Sequence, residues 1–111
     1  MRQNQQSVSH IEESILTVLD GYELYGLEII DALEQGSGGK LKVSCGTLYP
    51  TLRRLERKGL VETRWDETPE ERGGARRKYY RISSKGAKIL HENQQVRAGL
   101  ARWKSVYGGA S

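Results

Sequence analysis

The chain has 111 residues and a net charge of +4, and 36% of its residues are apolar while 29% are charged. This length suits one domain with a modest core, and no apolar run approaches the ~18–20 residues of a membrane span. The polar N-terminus lacks the apolar stretch of a secretory signal, and the single cysteine excludes an internal disulfide and a cysteine-based zinc site, so we expect a protein of the reduced cytoplasm.

The positive charge is concentrated in one stretch of the sequence. Residues 53–88 contain 12 of the 18 lysines and arginines but 6 of the 14 acidic residues, a net charge of +6, which leaves −2 for the rest. A localised basic patch favours a polyanionic partner, and an ordinary solvated face is the alternative. An apolar fraction below the usual ~45–50% favours an oligomer or a module that binds through its surface.

Two helices are predicted in the N-terminal third. Ser9 and Glu12 have the spacing of a capping box, and apolar residues follow at helical spacing until Gly21 ends the first helix. A second helix is predicted over about residues 25–35. Its buried side is expected to consist of Leu27, Ile30 and Leu33.

A short strand and a third helix are predicted next. Residues 41–43 alternate apolar and polar side chains, and Ser44 then provides the N-cap of a helix that runs to Lys58 and is closed by Gly59. Pro50 lies early in this helix, where it removes about one backbone hydrogen bond. The buried stripe is expected to consist of Leu48, Leu52 and Leu55.

A hairpin and a long helix complete the chain. Residues 60–67 and 77–82 alternate as strands do, with a turn over residues 68–74. The last helix runs from Ser83 or Ser84 to about residue 107, a length of ~36 Å that is too long for so small a domain. Its apolar spacing favours a seam with a partner chain over packing on its own core. The seam residues are Ile89, Val96, Leu100, Trp103 and Tyr107.

Three helices followed by a two-stranded ribbon define a winged helix-turn-helix, an α+β and mainly helical fold. In this fold the second and third helices form the DNA-reading pair. We divide the chain into a flexible N-terminus (residues 1–8), a winged-helix domain (9–83), a C-terminal dimerisation helix (84–107) and a tail (108–111).

Two predicted surfaces carry the donors that DNA recognition needs. Arg53 and Arg57 lie one turn apart on the third helix and suit guanine or phosphate, while a basic, glycine-containing wing suits the sugar-phosphate wall. The alternatives are arginines paired with Glu56 or Glu62 and a wing that is only a soluble turn. The candidate DNA-binding residues are Ser44, Thr47, Tyr49, Pro50, Arg53, Arg54 and Arg57 on the helix, and Arg72, Gly73, Gly74, Arg76, Arg77 and Lys78 at the wing.

The sequence does not indicate an enzyme, a metal or a cofactor. His10 and His91 are far apart, and there is no nucleophile–base pair or phosphate loop. Cys45 begins the third helix, where the helix dipole favours a thiolate. A redox-sensing thiol is therefore one interpretation, and a small residue in the first helical turn is the one we favour.

Three segments resemble the PadR family of bacterial transcription regulators. Residues 24–30 resemble its second-helix motif, residues 46–61 its recognition-helix signature, and residues 73–86 its wing and the start of its last helix. The motifs stand in the family's order and spacing. The proportions resemble the compact branch of the family, which has a single C-terminal helix.

The resemblance implies a homodimer in which the last helix packs against the partner's first helix, at Ile11 and Ile15. It also implies that two recognition helices read a pseudo-palindromic operator in double-stranded DNA. Such regulators are most often repressors, in a bacterial cytoplasm and associated with the nucleoid when bound. The resemblance assigns DNA contacts to Thr47, Tyr49, Arg53, Arg76, Arg77 and Lys78, and support of the wing to Tyr80.

Some relatives of this kind bind phenolic acids or flat drugs between subunits, often with a tryptophan halfway along the last helix. This chain has Arg97 at that level, and Trp103 lies more than a turn further. We therefore do not expect an identical pocket, and a small aromatic effector is a secondary expectation. The alternative function is a winged-helix module that binds proteins and has only weak, non-specific affinity for DNA.

Overall fold

Four helices and one small sheet make up the part of the chain that the computed structural model describes, which is residues 7–68, 73 and 76–107, with side chains to residue 103. This is the mainly helical α+β winged-helix fold that the sequence predicts. In chain order the elements are α1 (His10–Leu19), β1 (Leu24–Tyr25), α2 (Gly26–Gly36), α3 (Cys45–Arg57), β2 (Val61–Trp65), β3 (Lys78–Ile82) and α4 (Ser84–Tyr107).

Local hydrogen bonds explain why the first and third helices begin where they do. The Ser9 hydroxyl accepts from the amide of Glu12, and the Glu12 carboxylate accepts from the amide of Ser9, which completes the predicted capping box. Ser44 caps α3 in the same way by accepting from the amide of Thr47. Both predicted caps are confirmed.

Gly59 ends α3 by turning the backbone. Its φ of +74° lies in the left-handed region, where a residue with a Cβ is strained. The amide of Leu60 then donates to the carbonyl of Leu55 at 2.9 Å, and the chain leaves the helix in the direction of β2. The helix therefore stops at the predicted glycine.

The sheet has three antiparallel strands in the order β1-β3-β2. The predicted hairpin is present, with Thr63 opposite Tyr80. The third strand was not predicted: β1 pairs with β3 and places Tyr25 opposite Tyr79. The predicted strand at residues 41–43 is wrong, because the backbone there is irregular and joins no ladder.

The core lies between the inner faces of the helices and the sheet. The prediction for Leu27 is wrong, because its side chain is 58% exposed and Ile29 occupies the buried side of α2 instead. The α3 stripe of three leucines is fully buried, as predicted. The core consists of Ile15, Leu16, Leu19, Ile29, Leu33, Leu48, Leu52, Leu55, Leu60, Val61, Tyr80 and Leu90.

The long helix α4 packs closely on the backbone of the domain at its start, and ion pairs connect it to α1 further along. A Cβ at Gly86 would overlap the carbonyl oxygen of Leu60, so the first turn of α4 approaches that backbone as closely as glycine allows. From His91 to Trp103 the side chains of α4 are exposed or half-buried. No helix in the described ranges is long and apolar enough to cross a lipid bilayer.

Candidate nucleic-acid interface

Helix α3 presents a polar face opposite its leucine stripe. Arg53 and Arg57 are exposed on this face, one turn apart. At its N-terminal end Ser44 and Thr47 are also exposed, and the Ser44 hydroxyl donates to the Thr47 hydroxyl at 3.3 Å. The predicted recognition-helix residues therefore lie on the surface, with Pro50 half-buried between them.

Tyr49 is different, because its ring is half-buried against the start of α2. A Cβ at Gly26 would overlap the Tyr49 hydroxyl, so the glycine is needed for α2 and α3 to meet. Burial and the neighbouring Cys45 raise the pKa of Tyr49 further above physiological pH, so the phenol is neutral there and able to donate a hydrogen bond. Tyr49 thus joins the two helices of the helix-turn-helix and reaches its surface.

Arg54 points toward α1 rather than along the polar face. Its Nε donates to Glu12 at 3.3 Å and its Nη2 donates to the Thr51 hydroxyl at 3.2 Å. Lys58 binds the same Glu12 carboxylate at 3.0 Å. The predicted DNA contact of Arg54 stays a prediction, and the geometry gives this residue a role in joining α3 to α1.

The Glu12 carboxylate is a buried anion held by these cations. Burial alone raises the pKa of Glu12, but the Ser9 amide, Lys58 and Arg54 together outweigh it and hold the pKa of this carboxyl below its ordinary value. The bound carboxylate therefore connects α1 to α3 and to the residue that follows it, Lys58.

The carboxylates of Glu56 and Glu62, which are the alternative partners for the α3 arginines, bind cations of β3. Lys78 pairs with Glu56 at 3.3 Å, and Arg81 pairs with Glu62 at 2.9 Å. Glu56 and Glu62 are therefore paired with Lys78 and Arg81, and Arg53 and Arg57 are exposed.

The base of the wing brings cations onto aromatic rings. The guanidinium carbon of Arg77 lies 4.3 Å from the ring centre of Tyr25, and that of Arg76 lies 4.9 Å from the ring centre of Trp65. Gly73 is exposed with a φ of +79°. Two predicted wing residues, Arg72 and Gly74, lie outside the described residues.

A groove of about 460 Å³ joins the wing to the helix-turn-helix. Its walls combine aromatic rings from four elements with the three cations at the base of the wing. Burial, Glu56 and Tyr49 raise the pKa of Tyr80, although Arg53 opposes this, and the Tyr80 phenol stays neutral in the groove. The lining includes Tyr25, Tyr49, Trp65, Tyr80, Arg76, Arg77 and Lys78.

Sequence reasoning missed Tyr25 as a member of this surface. It was predicted only as the start of the second helix, and a strand of two residues has no periodicity to reveal it. Tyr25 forms an edge-to-face pair with Tyr79, at 5.7 Å between ring centres. The only sequence signal for its role is the presence of an aromatic residue directly before α2.

The predicted dimer residues whose side chains are described fall into three groups. Ile15 is 0% exposed and packs in the core of its own chain, so it is removed from the surface that a partner can contact. Ile11 and Ile89 are half-buried against the same core. Val96 and Leu100 are each 60% exposed on α4, and Trp103 is 61% exposed. The side chain of Tyr107 lies outside the described residues.

The remaining candidate residues have simple surroundings. Cys45 is an exposed free thiol at the first residue of α3. His91 lies 3.0 Å from the Asp20 carboxylate and links α4 to the end of α1. Across the described ranges no group of three histidine, cysteine or acidic side chains is arranged to hold a metal ion.

An exposed basic face on α3 and a cationic wing beside it define a winged-helix protein of the nucleic-acid-binding class. The chain belongs to the transcriptional regulator PadR-like family, whose sequence pattern matches residues 15–92. It is therefore a DNA-binding transcriptional regulator and not an enzyme.

Individual relatives agree with this membership. The chain is 42% identical over 72 residues to transcriptional regulator Rv3488 of Mycobacterium tuberculosis, covering 63% of this chain and 60% of that protein. The PadR-like transcription factor of Bacteroides fragilis has a similar structure, with a TM-score of 0.69, 30% identity and coverage of 91% and 89%.

Bacillus subtilis PadR in complex with operator DNA shares the fold. Its TM-score is 0.65 at 23% identity, and the match covers 75% of this chain and 45% of that one.

Proposed function

We propose that the chain acts as a homodimer that binds a pseudo-palindromic operator in double-stranded DNA and represses transcription there. The observation that carries the DNA-binding surface is the groove that brings α3 and the wing cations together on one side of the domain. In this proposal Arg53 and Arg57 approach base edges or phosphates, and Arg76, Arg77 and Lys78 neutralise the adjacent backbone. The operator complex of Bacillus subtilis PadR supports this use of the fold.

The homodimer is supported by the second half of α4. Val96 and Leu100 are 60% exposed at helical spacing, in a stretch of α4 (His91–Trp103) whose side chains its own domain leaves exposed or half-buried. Large apolar side chains in such a row mark a surface that another protein covers. A second copy places two recognition helices on one face of the duplex, as a pseudo-palindromic operator requires. We place the protein in the bacterial cytoplasm, on the nucleoid when bound.

A selection from a random duplex library with the full chain, followed by fluorescence anisotropy titrations at several salt concentrations, tests the DNA-binding part. We expect one enriched motif with inverted symmetry. Arg53→Ala is expected to weaken binding to it by about tenfold, which corresponds to one lost base contact. Arg77→Ala is expected to lower the slope of log affinity against log salt by about 1.

Arg81→Ala is the matched control, because Arg81 lies on β3 near the wing but is paired with Glu62. It is expected to keep both the affinity and the slope. Equal affinity for all duplexes at physiological salt contradicts the proposal and supports the alternative, a protein-binding module with weak DNA affinity.

A further inference from the structure

We propose that Tyr25 and Trp65 are positioning residues for DNA binding, whose rings hold the guanidinium groups of Arg77 and Arg76 in place before the duplex arrives. The inference rests on the proposed function, since it assigns a role to residues behind the proposed wing contacts. Two rings and two cations, each pair within 5 Å, are the juxtaposition that carries it.

The position of each guanidinium carbon over a ring leaves its N–H donors available to a ligand. A guanidinium carries its five N–H donors in its own plane, so an aromatic ring that contacts its face does not occupy the edge. The edge is what a phosphate accepts from, in a bidentate arrangement. An arginine whose face contacts a ring can therefore bind a phosphate through the N–H groups at its edge.

Arg64 provides the contrast within the same sheet. It lies 4.7 Å from the ring centre of Tyr79, but its Nε also donates to the Glu23 carboxylate at 2.9 Å, and the pair holds the pKa of Glu23 below its ordinary value. Its edge donors are therefore used inside the chain. Among the described residues, Arg76 and Arg77 contact aromatic faces and no carboxylate.

The two rings are themselves fixed by the sheet. Tyr25 is held by the pairing of β1 with β3 and by its edge-to-face contact with Tyr79. Trp65 ends β2 opposite Lys78, whose ammonium lies 5.8 Å from the ring centre of Trp65. Trp65 is 50% exposed, an unfavourable place for an indole ring. In this proposal the exposed ring serves to hold Arg76 and Lys78, which lie over it.

Pre-placed cations bind more tightly because less side-chain freedom is lost on association. A cation–π contact at an exposed site is worth about a three- to fivefold change in an equilibrium constant. Removing one ring is therefore expected to lower DNA affinity by about that factor. The number of phosphate contacts stays the same, so the salt dependence is expected to stay the same too.

Anisotropy titrations of the full chain on the selected duplex test the inference. We expect Tyr25→Leu and Trp65→Leu each to weaken binding about three- to fivefold with an unchanged salt slope. Tyr25→Phe and Trp65→Phe, which retain a ring, are expected to bind within about twofold of the wild type. Melting temperatures identify variants that lose affinity through unfolding, and the half-exposed Trp65 keeps the test open if Tyr25→Leu fails to fold.

Double variants separate this inference from the proposed function. In the Arg77→Ala background, Tyr25→Leu is expected to cause no further loss, and in the Arg76→Ala background the same holds for Trp65→Leu. Equal losses for the leucine and phenylalanine variants, or full additivity in the double variants, overturn the positioning role. Wild-type affinity and slope for both Arg76→Ala and Arg77→Ala overturn the proposed wing contacts instead.

Discussion

Arg97 of α4 grips the carboxylate of Glu13 on α1 with both of its terminal nitrogens. Nη1 donates to one carboxylate oxygen at 2.8 Å and Nη2 donates to the other. The carboxylate is largely buried, whereas the arginine is mostly exposed. Together with the contact between His91 and Asp20, this pair sets the direction in which α4 leaves the domain.

Arg97→Ala leaves the largely buried Glu13 carboxylate without its bidentate partner, so this variant is expected to lower the urea midpoint. Urea denaturation at one protein concentration measures the loss. Arg81→Ala is the control, because its partner Glu62 is exposed, and less than about 0.5 kcal/mol is expected there. Equal losses for the two variants contradict a special role for the buried carboxylate.

The charge cluster around Glu12 makes the stability of the fold depend on pH. Because the folded pKa of Glu12 is below its ordinary value of 4.5, its contribution is complete well above pH 4.5 and is lost as the pH falls through the folded pKa. Glu12→Gln is expected to lower stability at pH 7 by about 1–3 kcal/mol. The difference from the wild type is expected to shrink below pH 4.5.

Urea midpoints recorded from pH 7 to pH 3 test this dependence. Glu92→Gln, a change on the exposed face of α4, is expected to leave the curve unchanged. A difference in urea midpoint between Glu12→Gln and the wild type that is the same at all pH values contradicts this prediction.

Adjacent arginines on α3 are expected to behave differently. Arg54→Ala removes donors from Glu12 and Thr51, so it is expected to lower stability by about 1 kcal/mol. Arg53→Ala is expected to leave the melting temperature unchanged and to reduce DNA affinity. Thermal melting and anisotropy on the same preparations distinguish the two. If Arg53→Ala lowers the melting temperature and keeps full DNA affinity, Arg53 has a structural role and does not contact DNA.

The exposed row on α4 predicts a concentration-dependent dimer. Leu100→Glu places a charge in the proposed seam and is expected to raise the dimer dissociation constant at least tenfold. Sedimentation equilibrium at micromolar concentrations provides the measurement. Gln95→Glu adds the same charge at an exposed position before Val96 and is the control. A wild-type chain that is monomeric under these conditions contradicts the homodimer.

Close packing at the start of α4 predicts a strong effect of one methyl group. Gly86→Ala drives a Cβ into the carbonyl oxygen of Leu60, and a loss of about 1–3 kcal/mol is expected from the forced shift. Gly36→Ala is the matched control, because the space around Gly36 is open and alanine favours a helix. Thermal melting compares the two, and an unchanged Gly86→Ala rules out the tight contact.

The helices could be predicted well because their signals are local. Ser9, Ser44 and Gly59 act through hydrogen bonds and backbone angles within a few residues, and the structure places helix ends at each of them. The alternating hairpin was predictable for the same reason. Local chemistry therefore yields the order of elements and the exposed face of α3.

The missed features depend on tertiary contacts. β1 is too short to show alternation and exists because β3 provides a partner for it. The apolar residues 41 and 43 pack against the core without joining a ladder, so their alternation was misleading. Ile15 was assigned to a subunit contact, but the burial of one isoleucine by its own chain or by another is decided by packing that spacing does not reveal.

In the proposed dimer, the length of α4 determines how far apart the two winged-helix domains lie. One residue inserted after Arg97 moves the seam by 1.5 Å and turns it by about 100°, so Val96 and Leu100 no longer face the same way. Seven inserted residues almost restore the angle but lengthen the helix by about 10.5 Å, close to three base-pair steps. In the proposed dimer, such insertions therefore change which residues of α4 meet across the seam and how far apart the two winged-helix domains lie.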